Sequence, residues 1–505
     1  MSAARPVRFV VPAAGLRRAP RLRALGVTDR ELVAVALLTG LGAAVRFATL
    51  GRQSLWFDEA VTVLRVLHPG LLATLEAVRH GESTPPLYYV LAWGWTHVFG
   101  TGAVGVRSLS AVCGTLTVPV AWVAGRALGG PRAGAILAAL VASSALGVWY
   151  SQEARAYALL TLLAGLGFLL FVRALDQPSS RRLGAWALVS SLALATHYFA
   201  AFVVLPEALW LLTRPRGRRA TLVAVAGVAA TAAALAPLAL AQHHPVRLAW
   251  ITHLSLSSRV QATLSSPFVG GSDAPLLGVA AVGALIVATG LAAVLPRLSG
   301  SDWRAAAPGL VVGLAALAAP LGIALAGVDL LVARNLIAMW LPLGAGLAVL
   351  LGAPRAGRRG LLAAALLCAF ELTVVGAVEA LPRLQRGDWR DVAHLLGPAP
   401  RPRAIVAPYV GLVPLELYLR GTHREPAKAT ATVAELDLVG WAGGHHRPVH
   451  PPPGFRAGRG RQVGDLFVVR LRSARPRGLR AGALLARRLS PGHTVVLAAA
   501  PRGGR

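Results

Sequence analysis

The stretch SLWFDEAVTVL, residues 54–64, places two adjacent carboxylates, Asp58 and Glu59, just past the first long apolar run of a chain with 21 acidic residues against 51 Lys and Arg. A carboxylate within hydrogen-bond reach of a hydroxyl can act as a general base. An acid at a bilayer centre costs about 2.5–3.5 kcal/mol on insertion scales, so an acid near a membrane boundary marks a functional site by default. On a helix over 55–67, Asp58, Thr62 and Arg65 share one face. Trp56, Ala60, Val63 and Leu67 then face lipid or protein, and such a helix lies along the membrane surface. Adjacent helical residues diverge by about 100°, which gives the two acids different partners. Taken alone, the stretch fits a solvated loop with two incidental acids equally well.

Three more clusters carry candidate chemistry. SQEARAY, 151–157, supplies Gln152, Glu153, Arg155 and Tyr157, which can satisfy helix ends or meet a substrate. THYF, 196–199, supplies His197 and Tyr198, a pair that by itself more often anchors a helix at an interface than catalyses. ARN, 333–335, supplies Arg334, either a snorkelling anchor or a bidentate donor to phosphate. His243, His244 and His253 lack a flanking carboxylate or thiol that would complete a zinc set.

The elements that must position these residues follow from composition and charge. The 505 residues are 55% hydrophobic and only 14% charged, with a mean hydropathy of +0.60, against about 25% charged residues in ordinary globular chains. Apolar runs approaching the roughly 20 residues that span hydrocarbon recur from about residue 31 to 380. The net charge of +30 resides largely in short arginine clusters between those runs, where lipid head groups and the positive-inside bias account for it. No nucleic-acid motif accompanies it. Cys113 and Cys368 both fall in apolar segments and give no disulfide framework. The basic segment 1–30 lacks the order of a signal peptide and reads as a retained cytoplasmic leader.

The clusters at Arg17–Arg30, Arg126–Arg132, Arg173–Arg182, Arg214–Arg219, Arg297–Arg304 and Arg355–Arg359, all placed in the cytoplasm, force the intervening runs to cross in pairs. That gives about eleven crossings. PPLYYVLAWGWTHVFG, 85–100, stays re-entrant or interfacial, because counting it would invert every later cluster. The alternation puts Asp58, Glu59, Glu153, Arg155, His197, Tyr198 and Arg334 at one outer face, together with a loop holding His243, His244, Trp250 and His253. Beyond residue 381, RAIVAPY and RQVGDLFVVRL read as strands, PLELYLRG as a short helix ended by Gly421, and HHRPVHPPPGF as a loop.

SLWFDEAVT, STPPLYYVLAWGW, RSLSAVCGTLTVPVAWVAGRALGG, WYSQEARAYALLTLLA and ATHYFA, in this order, resemble the integral-membrane glycosyltransferases of the GT-C superfamily. They look most like bacterial relatives of the dolichyl-phosphate-mannose protein mannosyltransferases, glycosyltransferase family 39. ARNLIAMWLPLGAGLAVLLG and DWRDVAHLL resemble the family's last membrane segments and its passage into an outer domain. The resemblance implies an α-helical polytopic membrane protein of GT-C type in the inner or plasma membrane, with a membrane domain over 31–380. Its catalytic first outer loop would be 51–85, and 381–505 would form a small extracytoplasmic α/β domain.

It further implies transfer of a sugar, usually with inversion, from a polyprenyl-phosphate carrier to a glycan, lipid or protein acceptor at the extracytoplasmic face. Asp58 would be the general base with Glu59 assisting. Arg334 and Arg155 would receive the departing phosphate, and Glu82, Tyr88, Gln152, Glu153, Tyr157, His197 and Tyr198 would contact substrate. Relatives often carry His or a charged residue before the Pro-Pro pair, where this chain has Thr84. The sugar could be mannose, another hexose, arabinofuranose or an aminosugar; the nearest named relatives use mannose. Some of the superfamily need a divalent ion such as Mg or Mn and others do not. The competing readings are a lipid or sugar transporter, for which broken helices near the midplane are expected, and an inactive membrane subunit.

Overall fold

The computed structural model describes residues 27–243, 251, 253–271, 276–328, 330–442, 449–490 and 492–499. His244, Trp250 and most of the basic leader lie outside the described residues, as does part of the Pro-rich loop.

Helix α1 (Asp29–Phe47) starts at a capping box in which Thr28 and Glu31 exchange hydrogen bonds, satisfying two orphan backbone donors. The loop that follows carries α2 (Phe57–Val61) and a π-helical turn over Thr62–Val66, then α3 (Leu71–Gly81) and α4 (Leu87–Phe99). At 13 residues, α4 spans about 20 Å, short of the roughly 30 Å hydrocarbon core. Next come α5 (Ala103–Ser143), α6 (Ala145–Ser151), α7 (Tyr157–Asp176), α8 (Ser180–Thr196), α9 (Ala201–Leu212) and α10 (Arg218–Gln242). The bundle closes with α11 (Leu256–Val269), α12 (Leu277–Val294), α13 (Gly300–Leu325), α14 (Trp340–Gly352) and α15 (Gly357–Ala380). Among the described residues seven helices are long and apolar enough to cross a membrane, and each segment that the arginine alternation assigns as a crossing contains a helix.

The arginine clusters mark turns. Helix α5 folds back at Gly129–Gly130, where Gly130 takes φ +80°, a conformation open to glycine at little cost. The two halves then touch backbone to backbone, since a Cβ on Gly125 would stand 2.7 Å from the Ala133 carbonyl oxygen. Arg126 reaches Glu31 at 2.9 Å, fixing the start of α1 to this turn, and Gly352 packs on Ala133 at the same place.

At Ser144 the chain breaks again, between α5 and α6. Arg46 donates to the Val141 and Ala142 carbonyls (2.9 and 3.2 Å), and Glu371 accepts from the Ala145 N–H at 2.7 Å. A cation on the closing helix end and an anion on the opening one satisfy both sets of orphan groups.

The C-terminal region contains α16 (Trp389–Leu396), α17 (Leu412–Tyr418) and α18 (Ala481–Leu485) around a seven-stranded sheet of order β2-β7-β1-β3-β6-β4, with β5 paired to β6. The strands are β1 (Arg403–Pro408), β2 (Thr422–Arg424), β3 (Thr430–Trp441), β4 (Phe455–Ala457), β5 (Arg461–Val463), β6 (Leu466–Arg480) and β7 (Thr494–Ala499). Only β1 and β3 pair in parallel; the other pairs are antiparallel. Alternate residues of β1 face opposite layers: Ala404 and Val406 meet Ala481 and Leu484, whereas Ile405 and Ala407 meet Trp389, Val392, Leu412 and Val413. The second layer also contains Ala60 of α2, with Phe57 and Val61 at its margin. Helix α2 is thus built into the core of the C-terminal region. It also starts at Phe57 rather than 55.

Candidate active site

Each acid singled out in the sequence around this end of the bundle is met by an arginine from a different part of the chain. Glu59 is fully buried, and Arg107 of α5 grips it with two hydrogen bonds, Nε to Oε1 at 2.7 Å and Nη2 to Oε2 at 2.5 Å. The remaining Arg107 donors go to the Leu50, Gln53 and Ser54 carbonyls (3.0, 2.8 and 2.9 Å), so all five guanidinium N–H groups are used. The Ala154 N–H adds a third bond to Glu59, at 2.9 Å. Burial alone would raise the Glu59 carboxyl, but the charge and hydrogen bonds of Arg107 outweigh it and hold it below the ordinary range. With no face open to an acceptor or a cation, Glu59 fastens α2 to α5 and to the 152–156 turn.

Asp58, one residue earlier, is placed differently. Its Oδ2 lies 3.3 Å from Nη1 of Arg334, and the two side chains keep 21% and 26% of their surface exposed. Arg334 comes from a 3-10 turn, Ala333–Met339, that leads into α14. Tyr150, Tyr157 and Glu153 are within electrostatic reach of its guanidinium. Arg155 makes a bidentate pair with Glu82 (2.8 and 2.9 Å), donates to Thr62 Oγ1 at 3.2 Å, and sits 5.9 Å over the Tyr89 ring.

His197 is buried, its ring 5.7 Å from that of Tyr157, which in turn meets Tyr150 edge-on at 4.8 Å. Burial first, and then the nearby cations Arg155 and Arg334, push its imidazolium down to about 3, so the ring is neutral. Asp58, Arg334, Arg155, Glu82, Tyr157 and His197 therefore gather in one place.

Four other expected substrate contacts have partners within the protein. Gln152 donates to the Val45 and Arg46 carbonyls and to Thr49 Oγ1 (3.2, 3.3 and 2.9 Å), capping the end of α1. Tyr198 donates to Gln242 at 2.8 Å, and Gln242 donates to the Val78 and Thr84 carbonyls, tying α10 to the end of α3. Tyr88 is buried with its ring edge-on to Tyr89. Glu153 is buried against Arg386 at 2.9 Å. Tyr88 Oη and Glu153 Oε1 are buried with no hydrogen-bond partner among the described residues.

Arg107, Arg386 and Gln242 are the partners that sequence reading missed. Arg107 carried a usable signal, since a lone cation at the outer end of a long apolar helix needs a partner. Arg386 stacks on Trp149, 4.2 Å from the ring centroid, and no local pattern announces it.

Among the described residues no three His, Cys, Asp or Glu side chains are placed to hold one metal ion. All four acids, Asp58, Glu59, Glu82 and Glu153, pair with arginine.

Fold and site together define a polytopic membrane protein whose chemistry-bearing residues gather at one end of a helix bundle, against a small α/β region. Residues 83–241 match the family model of dolichyl-phosphate-mannose-protein mannosyltransferases, which bears out the resemblance to GT-C glycosyltransferases over that stretch. Similar solved structures include the S. cerevisiae protein O-mannosyltransferase Pmt1-Pmt2 complex bound to the sugar donor, at 19% identity and a TM-score of 0.34, covering 43% of this chain and 34% of that one. The Archaeoglobus fulgidus oligosaccharyltransferase AglB, in complex with an inhibitory peptide and a dolichol-phosphate, is 12% identical with a TM-score of 0.43, covering 72% and 57%. ArnT from Cupriavidus metallidurans bound to undecaprenyl phosphate is 15% identical with a TM-score of 0.36, covering 88% and 98%. The chain thus spans about a third of the yeast protein and just over half of the archaeal one. No curated protein matches it.

Proposed function

We propose that this protein is a glycosyltransferase that takes a sugar from a polyprenyl-phosphate carrier and transfers it to an acceptor hydroxyl at the extracytoplasmic face of the inner or plasma membrane. The observation that carries the reading is the partly open Asp58–Arg334 pair, a base and an anion receptor side by side. The acceptor O–H gives its proton to the Asp58 carboxylate as its oxygen attacks the anomeric carbon. The bond from that carbon to the phosphate oxygen breaks, and the lipid phosphate leaves with the electron pair. Arg334 stabilises the charge developing there, aided by Arg155. Attack opposite the leaving group inverts the anomeric centre. A hexose, with mannose first, is the sugar the family match favours. The acceptor is a glycan, lipid or protein.

Donor phosphate and Asp58 compete for Arg334. Donor binding would therefore free the carboxylate as it fills the anion site.

The test is transfer from a panel of radiolabelled polyprenyl-phosphate sugars by membranes bearing the wild type or Asp58→Asn. Incorporation by the wild type alone is the expected result. Transfer by the variant would remove Asp58 as base, and no turnover of any donor by folded wild type would move the reading to a transporter or an inactive subunit.

A further inference from the structure

A second candidate binding site lies in the C-terminal sheet, joined to the helix that carries Asp58. Phe57, the residue before Asp58, places its ring centroid 5.4 Å from that of Tyr409, just past β1. Tyr409 stacks on His493 with centroids 4.9 Å apart and rings 16° from parallel. The Tyr409 N–H donates to the His493 carbonyl at 2.9 Å. Three aromatic rings therefore run in a row from α2 to the start of β7.

His493 lines a cavity of about 660 Å³ together with Arg424, Glu425, Leu485, Arg488 and Thr494. That volume is within the range of about 300–1,000 Å³ that holds small ligands or part of a larger one. Its charged lining favours an anion. Arg424 is exposed on the edge strand β2. Arg488 spends Nη1 on the Gly492 carbonyl at 3.0 Å, while its Nε is buried with no hydrogen-bond acceptor among the described residues. The one carboxylate in the lining, Glu425, lies just past β2 and 3.1 Å from His423 of that strand. A buried donor without an acceptor is costly, and a guanidinium matches phosphate or carboxylate geometry.

We propose that this cavity binds an anionic group, a phosphate or a carboxylate, carried by the acceptor chain, and so holds the acceptor near the helix of Asp58. The inference rests on the reading of Asp58 as the base that activates an acceptor. It adds an anionic acceptor class and a docking site about which the family match, confined to 83–241, is silent.

The test uses the full-length protein in nanodiscs with three fluorescein-labelled oligomers of equal length: an oligogalacturonate, an oligo(glycerol phosphate) and a neutral maltooligosaccharide. Fluorescence polarisation is expected to show binding of at least one anionic oligomer, weakened by salt, and none of the neutral one. Which anion binds identifies the source of the charge. Arg424→Gln with Arg488→Gln should weaken that binding at least tenfold. Arg424→Gln alone, on an exposed edge strand, should weaken it severalfold with no change in melting temperature. Asp58→Asn should bind the same oligomer as tightly as wild type, so a failure of the catalytic reading shows in transfer and a failure of this one shows in binding. Undiminished binding in the double variant, equal binding of the neutral oligomer, or no binding of any oligomer would overturn the proposal.

Discussion

Asp58 and Glu59 are neighbours in sequence and opposites in structure. Glu59 is sealed, with its carboxylate met by Arg107 and a backbone N–H. Asp58 touches one arginine at 3.3 Å and keeps about a fifth of its side chain exposed. A buried, fully bonded pair specifies where a helix sits, and breaking it leaves a charge stranded in a dry place. An open pair can exchange partners. The contrast suits Glu59 and Arg107 to holding α2 in place and, on the proposed reading, Asp58 and Arg334 to the reaction.

The largest effect is expected from Arg107→Ala. It strands Glu59 and leaves three carbonyls of the 50–54 turn without their donor, a loss of about 3–5 kcal/mol. Thermal unfolding of the purified protein should fall sharply and transfer should vanish with it. An unchanged melting temperature would erase the distinction between the two pairs.

Arg334→Ala comes next and sharpens the other side of the comparison. Removing one cation from a site for a departing phosphate should lower kcat about 10²–10³-fold, with melting unchanged because the pair is partly solvated. A loss of stability instead would make Arg334 another fastener.

Smaller effects belong to the C-terminal region. Glu435 of β3 lies between Arg403 of β1 (2.7 Å) and Arg472 of β6 (3.3 Å). Burial alone would raise its carboxyl, yet Arg403, Arg470 and Arg472 together hold it below the ordinary range. Its folded value lies below its unfolded one, so the stability it contributes is present above about pH 4.3 and is lost as pH falls through the folded value. Glu435→Gln should therefore flatten the acid limb of the stability curve, read by hydrogen exchange of β1 and β3. The Arg65–Glu416 pair, at 2.6 Å but with Arg65 47% exposed, should cost less than about 1 kcal/mol when cut. Glu416→Gln should leave both melting and transfer nearly unchanged.

Much of the architecture was legible because it is written in local patterns. Arg126 to Arg132 marked a turn, and the helix folds back within it. RAIVAPY and RQVGDLFVVRL became β1, β5 and β6. The segment 85–100, read as re-entrant or interfacial, contains the 13-residue α4. The candidate site was legible only in part. Residue types named Asp58, Arg155 and Arg334, but which arginine meets which acid depends on partners 48, 73, 233 and 276 residues apart. No periodicity encodes such separations. For the same reason the protein partners of Gln152 and Tyr198 were not legible. A polar side chain at an outer helix end has the same sequence signature whether it meets a ligand or a neighbouring helix's carbonyls.

The most direct test places the two neighbours side by side: Asp58→Asn and Glu59→Gln in the full-length protein, each measured for sugar transfer and for thermal unfolding in the same membrane mimetic. The account predicts that Asp58→Asn loses transfer by about 10²–10⁴-fold at an unchanged melting temperature, and that Glu59→Gln lowers the melting temperature itself. Retained transfer by Asp58→Asn, or equal loss of stability in both variants, would contradict it.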